Sequence, residues 1–335
     1  MSGSLVQAPT VSIVIPTHNR RRMLPEAVES CLKQTFADSE ILIVDDGSTD
    51  GTDAVVADQM KASWAPGRVR YIRQDNRGAS SARNHGLRIA RGRYVQFLDS
   101  DDLLDASKIF KQLETLESEQ GRNASCCLCL GRMVSGADGN LAGGVRTIGV
   151  CASNPAELLR ELCTRRVHGM QTAAPLWRRE FLIDRPGWRE DISLGDDLEY
   201  YARLLVDVRE FRFVDEELFV VREHGGDRLS VIRPTVSSVT SLVKTRRSVH
   251  ESVKRAGLWD EGTQEALLGA MRTVYANALE TGNAELVVDL ERWLWDLASA
   301  PRRRLAFRAM ICIRRVFGAR FLLRTHRMAK RLRTI

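Results

Sequence analysis

Two clusters of carboxylates in this 335-residue chain follow segments that are apolar and rich in β-branched residues. ILIV (41–44) runs into Asp45 and Asp46, and RYVQFL (93–98) runs into the acidic segment DSDD (99–102). Carboxylates that lie close together repel each other, so they stay ionised at low cost only beside a cation. Their oxygens suit Mg²⁺ or Mn²⁺, which complete their coordination with water and substrate phosphates. DSDD therefore predicts part of a site for a metal-bound diphosphate.

A third apolar segment, SIVIP (12–16), also ends in polar residues, namely Thr17, His18, Asn19 and Arg20. In open α/β sheets, ligands bind where parallel strands end, so these three polar segments are expected to surround one crevice. The alternative is that Asp, Ser and Gly at strand ends only form turns and helix caps. Two acidic segments at successive strand ends favour a site over that alternative.

The segment between the acidic clusters adds groups that favour anions. In DNRGASSARNHG (75–86), Gly78 and the small residues after it permit close backbone approach at a helix N-terminus. Arg77 and Arg83 lie beside it and can donate charge-assisted hydrogen bonds to a phosphate or a base. The alternative is an ordinary amphipathic surface helix, which often has a similar sequence.

The elements that must position these residues alternate regularly in the first half of the chain. We predict strands at 12–16, 41–46, 69–73 and 93–99, with helices at 22–34, 52–60 and 79–90. This βαβα order predicts right-handed crossovers and a mostly parallel sheet that is buried on both faces. Farther on we predict a helix at 106–118, short strands near 170–177, 211–215 and 218–222, and a helix at 197–206. After residue 236 the pattern predicts helices only, at 236–256, 262–279 and 284–298, with a basic one after Pro301.

Composition excludes several classes of protein. The chain is 44% hydrophobic with a formal net charge of +7, which is too apolar and too weakly charged for a disordered chain. It has no apolar run of ~20 residues that predicts a membrane span, and its first residues do not resemble a secretory signal. Its seven cysteines are scattered and odd in number, so we expect free thiols and a reducing cytoplasm.

Four segments taken together resemble the family 2 glycosyltransferases of the GT-A fold. They are VSIVIPTHNR, ILIVDDGSTDGT, DNRGASSARNHG and GRYVQFLDSDD, and they match in order over about residues 10–110, with weaker similarity to about residue 230. The resemblance implies a Rossmann-like GT-A sheet that binds a nucleotide-diphosphate sugar at its carboxyl edge. It also implies inverting sugar transfer to an acceptor hydroxyl with Mg²⁺ or Mn²⁺, in cell-surface or extracellular polysaccharide or glycolipid assembly, where the acceptor is a glycan or is linked to a lipid.

The resemblance also implies the site residues. Those expected to bind the nucleotide sugar are Pro16, Thr17, His18, Asn19, Asp46, Arg83 and Asp99. Those expected to bind the metal are Asp99 and Asp101 of the DxD motif, Asp102 as a substitute ligand, and His224 of VREHGGDRLS (221–230). Many relatives have Tyr where this chain has His18.

A later segment, WREDISLGDDLEYYARL (188–204), resembles the family's acidic motif at a helix start. Aligning the helix places Asp197 at the position of the catalytic base, with Asp196 as the alternative if the register shifts by one. An inverting displacement needs such a carboxylate to take the proton of the acceptor hydroxyl. The alternative is a helix N-cap with a favourable dipole interaction, and the two roles can coexist.

Two other functions compete with sugar transfer. One is a metal-dependent phosphohydrolase that uses the acidic strand ends, and the other is a non-catalytic scaffold that binds a nucleotide sugar. A nicotinamide-binding domain fits poorly, because the first strand ends in PTHNRRR rather than G-x-G-x-x-G.

The C-terminal residues 301–335, called the basic tail below, contain twelve Lys and Arg and no Asp or Glu, so the other 300 residues carry a net charge of −5. As one helix, the basic tail is imperfectly amphipathic, with Arg314 and Arg324 on its apolar face. We predict that it binds an anionic membrane surface, with packing on the acidic body as the alternative and nucleic acid as a poorer fit. The expected units are a GT-A domain at 9–230, a helical region at 235–300 and the basic tail, in a cytoplasmic protein at the inner face of the cell membrane.

Overall fold

A computed structural model describes residues 8–64, 67–135, 145–149, 152–164, 170–223 and 234–298, together with Arg308, Ile311, Cys312 and Arg314. Its strands are β1 (Val11–Thr17), β2 (Ser39–Asp46), β3 (Val69–Gln74), β4 (Tyr94–Phe97), β5 (Leu103–Leu104), β6 (Cys126–Ser135), β7 (Val145–Ile148), β8 (Leu176–Arg178) and β9 (Phe211–Glu223). Its helices are α1 (Leu24–Leu32), α2 (Thr52–Ala62), α3 (Ala79–Ile89), α4 (Lys108–Glu117), α5 (Pro155–Cys163), α6 (Arg179–Ile183), α7 (Asp196–Leu205), α8 (Val236–Arg255), α9 (Glu261–Thr281) and α10 (Ala284–Leu297).

The strands form one mixed sheet in the order β3-β2-β1-β4-β8-β6-β9-β5, with β7 paired to β6. The four neighbours β3, β2, β1 and β4 are parallel, as the βαβα order predicts. Beyond β4 the sheet is mixed, because β8 is antiparallel to both β4 and β6 while β6 and β9 are parallel. The carboxyl ends of β1, β2 and β4 therefore meet at one edge of the sheet.

The parallel strands are buried on both faces. In β1, Ile13 and Ile15 pack in one apolar cluster with α1, while Val14 packs in a second cluster with residues of α3 and α7. Side chains that alternate between two buried faces explain why these strands are continuous apolar runs in the sequence.

The second half of the sheet differs from the sequence prediction, which gave no strand at β5 or β7. Two further differences concern strands that were predicted. Residues 170–175 are not a strand, since Ala174 N–H closes a turn onto Gln171 O, and only β8 remains of the predicted strand. The two strands predicted at 211–215 and 218–222 are one strand, β9, whose pairing with β6 shifts register on both sides of Leu130. Helix α5 was not predicted.

The last described helices form a third apolar cluster that joins α8, α9 and α10. Helix α8 also places Val249 and Val253 in the cluster around α7, so it packs both against α7 and against the later helices α9 and α10. None of the helices in the described ranges combines the length and the apolarity that a bilayer-crossing segment needs.

Most of the basic tail lies outside the described residues, but its described part contacts the helical region. Arg314 donates from Nε and Nη2 to the two oxygens of Glu291, at 2.7 and 3.0 Å. Glu291 is 5% exposed and also accepts from the Tyr275 hydroxyl at 2.7 Å. Arg314, which the amphipathic pattern placed on the apolar face, therefore neutralises a buried carboxylate of α10.

Gly86 lets α3 approach the centre of the sheet. A Cβ atom at Gly86 would lie 2.3 Å from Val14 Cγ1. We predict that Gly86→Ala lowers the free energy of unfolding by about 1–3 kcal/mol, because the core must shift to accept the methyl group. Urea denaturation measures this loss. Arg88→Ala, an exposed change on the same helix, is the control and should have little effect. Equal stability of the two variants would contradict the packing described here.

Candidate active site

The loops after β1 and β2 are joined by hydrogen bonds at the carboxyl edge of the sheet. Thr17 pairs with Asp45 in the β1–β2 register, so both loops begin at the same level. Asn19 adopts φ +53°, in the left-handed region that Asn tolerates better than most residues. Its Oδ1 accepts from Thr49 N–H at 2.8 Å, and its own N–H donates to Ser48 Oγ at 2.9 Å. Asn19 thus fixes the shape of the crevice.

His18 lies exposed at this crevice and is held in one orientation. Its Nδ1 lies 2.9 Å from the carbonyl oxygen of Asp46, and its Nε2 lies 3.1 Å from Asn19 Nδ2. Both contacts are satisfied by the tautomer in which Nδ1–H donates to the carbonyl and Nε2 accepts from the amide. The imidazole is therefore fixed where the resemblance expects the nucleoside.

Asp46 is buried and fixes the turn that leads into α3. Its Oδ1 accepts from Gln74 Nε2 and Arg77 N–H at 2.8 and 2.9 Å, and its Oδ2 accepts from Gly78 N–H at 2.7 Å. These contacts pull the glycine turn against β2 and set the position of α3. A contact between Asp46 and the nucleobase stays a prediction.

Arg83 on α3 connects two acidic segments that are far apart in sequence. Its side chain is 6% exposed, with Nη2 2.7 Å from Asp99 Oδ1 and Nη1 2.6 Å from Asp196 Oδ2. The guanidinium lies 4.5 Å from the ring centre of Trp188. Burial disfavours its charge, but the two carboxylates raise the pKa of the guanidinium and keep it charged. Both of its terminal nitrogens face carboxylates, where the resemblance implied contact with a nucleotide.

Aromatic rings form the apolar floor under Arg83. Trp188 stacks on Tyr200 with ring centres 4.2 Å apart, and Phe97 meets Trp188 edge-on at 5.3 Å. These rings come from β4, α7 and the loop before α7. They exclude water from one side of the guanidinium, which strengthens its pairing with the two carboxylates.

The three carboxylates of the DxD turn differ in exposure. Asp99 is 33% exposed, and Asp101 is 18% exposed with Oδ2 3.7 Å from Arg20 Nε. Burial, followed by the charge of Asp101, raises the pKa of Asp99 against the opposing effect of Arg83. Asp102 is 5% exposed, and its Oδ1 accepts from Arg222 N–H at 3.2 Å. Asp102 thus supports the turn, and Asp99 and Asp101 are the more open pair.

Arg222 at the end of β9 holds this turn in place and was missed by sequence reasoning. Its side chain donates to the carbonyl oxygen of Asp101, to the carboxylate of Glu26 and to Met23 O. The only signal in the sequence was its position two residues before His224. His224 itself lies outside the described residues.

The chemistry of Asp99 and Asp101 fits a divalent cation. They offer hard oxygen donors on one turn, and a bound cation would offset the burial and the charge of Asp101 that raise the pKa of Asp99. Across the described ranges, no group of three or more His, Cys, Asp or Glu side chains is arranged as a metal site. Two carboxylates suit an ion that takes its other ligands from water and a diphosphate.

Asp196 and Asp197 begin α7 but have different surroundings. Gly195 precedes them at φ +76°, which turns the chain sharply into the helix. Asp196 is paired with Arg83, whereas Asp197 makes no ion pair within 4 Å among the described residues and accepts only from Leu198 N–H, at 2.7 Å. Burial, then the charges of Asp196 and Asp99, raise the pKa of Asp197 to about 7. A carboxyl group that titrates near neutral pH is suited to accept and release a proton.

Part of the chain matches a known protein family. Residues 12–139 match the family described as "Glycosyl transferase family 2". The chain is 28% identical over 221 residues to the uncharacterized glycosyltransferase EpsJ of Bacillus subtilis (strain 168), which covers 64% of this chain and 62% of EpsJ. It is 30% identical over 260 residues to a chondroitin synthase of Escherichia coli, covering 77% of this chain and 34% of the synthase. The chain thus spans less than two thirds of either relative.

Solved structures share the fold. Residues 1–349 of S. aureus TarS in complex with UDP-GlcNAc superpose with a TM-score of 0.66 at 17% identity, covering 96% of this chain and 92% of that one. The mannosyltransferase PcManGT of Pyrobaculum calidifontis, in complex with GDP-Man and Mn²⁺, gives a TM-score of 0.53 at 18% identity, covering 90% and 84%. The predicted GT-A fold with a helical C-terminal region is confirmed. The chain contains a family 2 glycosyltransferase domain.

The structure thus brings most of the predicted site residues to one edge of the sheet. Those at that edge are Pro16, Thr17, His18, Asn19, Asp46, Arg83, Asp99, Asp101, Asp102, Asp196 and Asp197. Their individual roles stay predictions.

The raised pKa of Asp197 predicts a dependence of stability on pH. The folded chain binds this proton more tightly than the unfolded chain, in which an Asp titrates near ~3.9. The contribution to stability is therefore complete below about pH 4 and is lost as the pH rises through about 7. We predict that Asp197→Asn removes this loss, so that the variant gains stability relative to the wild type between pH 5 and 8.

Thermal unfolding at each pH measures this difference. Asp184→Asn changes an exposed carboxylate at the end of α6 and serves as the control, with a curve parallel to that of the wild type. If the curve for Asp197→Asn is also parallel to that of the wild type, the pKa of the Asp197 carboxyl group is not raised as described.

Proposed function

We propose that the chain is an inverting glycosyltransferase, which moves a sugar from a nucleotide-diphosphate sugar to an acceptor hydroxyl. This proposal rests on two groups of carboxylates that lie on either side of Arg83. Arg83 joins them through its ion pairs with Asp99 and Asp196. On one side, Asp99 and Asp101 form a turn suited to a metal-bound diphosphate. On the other side, Asp197 has a pKa of about 7 and no paired cation within the described ranges. A displacement needs a leaving-group site and a base that lie close together.

Each of these residues has a separate role in the proposed reaction. Asp197 takes the proton of the acceptor hydroxyl. The acceptor oxygen bonds to the anomeric carbon while the bond from that carbon to the diphosphate breaks. Asp196 is held in an ion pair by Arg83, so it is a poorer base. The crevice around His18 and Asn19 receives the nucleoside. One attack from the face opposite the leaving group inverts the anomeric carbon.

A divalent ion, Mg²⁺ or Mn²⁺, held by Asp99 and Asp101 would neutralise the charge of the departing diphosphate. The complexes of TarS with UDP-GlcNAc and of PcManGT with GDP-Man and Mn²⁺ support this type of donor and ion. The chondroitin synthase supports a glycan acceptor in polysaccharide assembly.

A panel of donors tests the reaction. The chain is incubated with Mn²⁺ and UDP-glucose, UDP-GlcNAc, UDP-galactose or GDP-mannose, and the released products are separated. We predict release of a nucleoside diphosphate with the wild type, and a fall in kcat of at least ~10² in Asp197→Asn with little change in the KM of the donor. Asp196→Asn is the matched variant at the neighbouring carboxylate. Release of free phosphate indicates a phosphohydrolase instead, and full activity of Asp197→Asn beside an inactive Asp196→Asn moves the base by one residue.

We also propose that the basic tail brings the enzyme to the inner face of the cell membrane, where a lipid-linked acceptor is found. Each Lys or Arg near an anionic surface contributes about 1 kcal/mol. Because Arg314 binds Glu291, the test must keep that pair and change only later cations. The changed residues, each replaced by Gln, are Arg320, Arg324, Arg327, Lys330, Arg331 and Arg333.

Vesicle flotation measures the binding. We predict that the wild type floats with phosphatidylglycerol vesicles, is released by salt, and does not float with phosphatidylcholine vesicles. The sixfold variant should remain in the dense fraction. Equal flotation of both chains, or flotation with the neutral vesicles, contradicts the proposal.

A further inference from the structure

The loop that leads into the candidate base, residues 184–195, is held from two sides. On the side of α3, Asn84 accepts from Trp188 N–H and donates to Trp188 O, both at 2.8 Å. On the other side, the end of the loop lies on α8, a helix that the sequence placed in a separate helical region. Helix α8 is therefore part of the surroundings of Asp196 and Asp197.

Two hydroxyl groups of α8 bind the backbone just before the base. Ser241 Oγ accepts from the N–H groups of Ser193 and Leu194, both at 2.9 Å. Thr245 Oγ1 donates to Leu194 O at 3.1 Å. These contacts satisfy two donors and one acceptor of the loop immediately before α7 begins.

Gly195 explains why α8 approaches so closely. A Cβ atom at Gly195 would lie 3.2 Å from Thr245 Cγ2, so the backbone at the turn rests directly on Thr245. Gly195 is also at φ +76°, so the loop enters α7 in a conformation that few other residues adopt. The direction of the first turn of α7 therefore depends on this contact.

The two hydroxyls belong to a polar stripe on one face of α8. Its members are spaced four, three and four residues apart, which keeps them on the same side of a helix. They are Ser241, Thr245, Ser248 and Ser252, with exposures of 3%, 0%, 5% and 2%. Ser248 donates to the buried carboxylate of Glu199 on α7 at 2.8 Å, so the stripe continues from the loop onto the helix of the base. Ser252 Oγ makes no hydrogen bond within the described ranges.

We propose that Ser241 and Thr245 are positioning residues for the catalytic base. They fix residues 193–195, and through them the orientation of Asp197 at the start of α7. The assignment rests on the proposed function, because it takes Asp197 as the base. It makes α8 part of the catalytic unit.

The test uses the full chain and measures order and activity separately. Ser241→Ala and Thr245→Val each remove one hydroxyl with little change in volume, Thr245→Ser keeps it, and Ser252→Ala is the control on the same stripe. Amide hydrogen exchange follows Ser193 and Leu194. Calorimetry with UDP and Mn²⁺ follows the donor site. Initial rates with the donor that the wild type uses give kcat and KM.

We expect exchange at Ser193 and Leu194 to rise at least about tenfold in Ser241→Ala. We expect kcat to fall at least about tenfold in Ser241→Ala and Thr245→Val, since a small displacement of a catalytic group is costly. UDP binding and the donor KM should not change, and Thr245→Ser should retain most of the wild-type kcat.

Three results overturn the proposal: unchanged exchange and kcat in both variants, an equal loss of kcat in Ser252→Ala, or a loss of UDP binding together with kcat. If the wild type turns over none of the donors, the proposed function fails. The exchange data still show whether these hydroxyls order the loop.

Discussion

The guanidinium of Arg83 is buried between two carboxylates that come from different parts of the chain. Removing a charged group of this kind from water is costly unless its partners remain in place, so the turn at Asp99 and the start of α7 at Asp196 cannot separate freely. The aromatic floor around Trp188 strengthens the pairing because it keeps water away. One interaction therefore holds the turn at Asp99 and the start of α7 at a fixed distance.

The different states of Asp196 and Asp197 follow from this pairing. Asp196 is engaged by Arg83, so the neighbouring Asp197 lies beside a fixed negative charge with no paired cation among the described residues. Burial, and then the charge of Asp196, raise the pKa of Asp197 to about 7. Other parts of the chain serve the same geometry, since Arg222 supports the DxD turn from β9 and α8 supports the loop before α7.

The sequence predicts the first half of the fold well because its strands are buried on both faces and its helices are amphipathic. The acidic strand ends were also predictable, since parallel neighbours must bring their carboxyl ends together. The pairing of Arg83 with Asp196 was not predictable, because this contact spans 113 residues and depends on tertiary packing. The stripe on α8 was missed for a similar reason, since Ser and Thr spaced in this way look like an ordinary helix face until α7 lies against them. The role of Arg314 was not predictable either, because only the packed structure reveals the buried Glu291 that it neutralises.

We propose that a nucleoside diphosphate binds at the carboxyl edge of the sheet together with a divalent ion held by Asp99 and Asp101. Isothermal titration of UDP and GDP into the wild type and into Asp101→Ala, with Mn²⁺ and with excess chelator, tests it most directly. We predict that one of the two nucleotides binds the wild type with Mn²⁺ and that this binding is lost both in chelator and in Asp101→Ala. Binding that persists in chelator and in the variant, or no binding of either nucleotide, would contradict it.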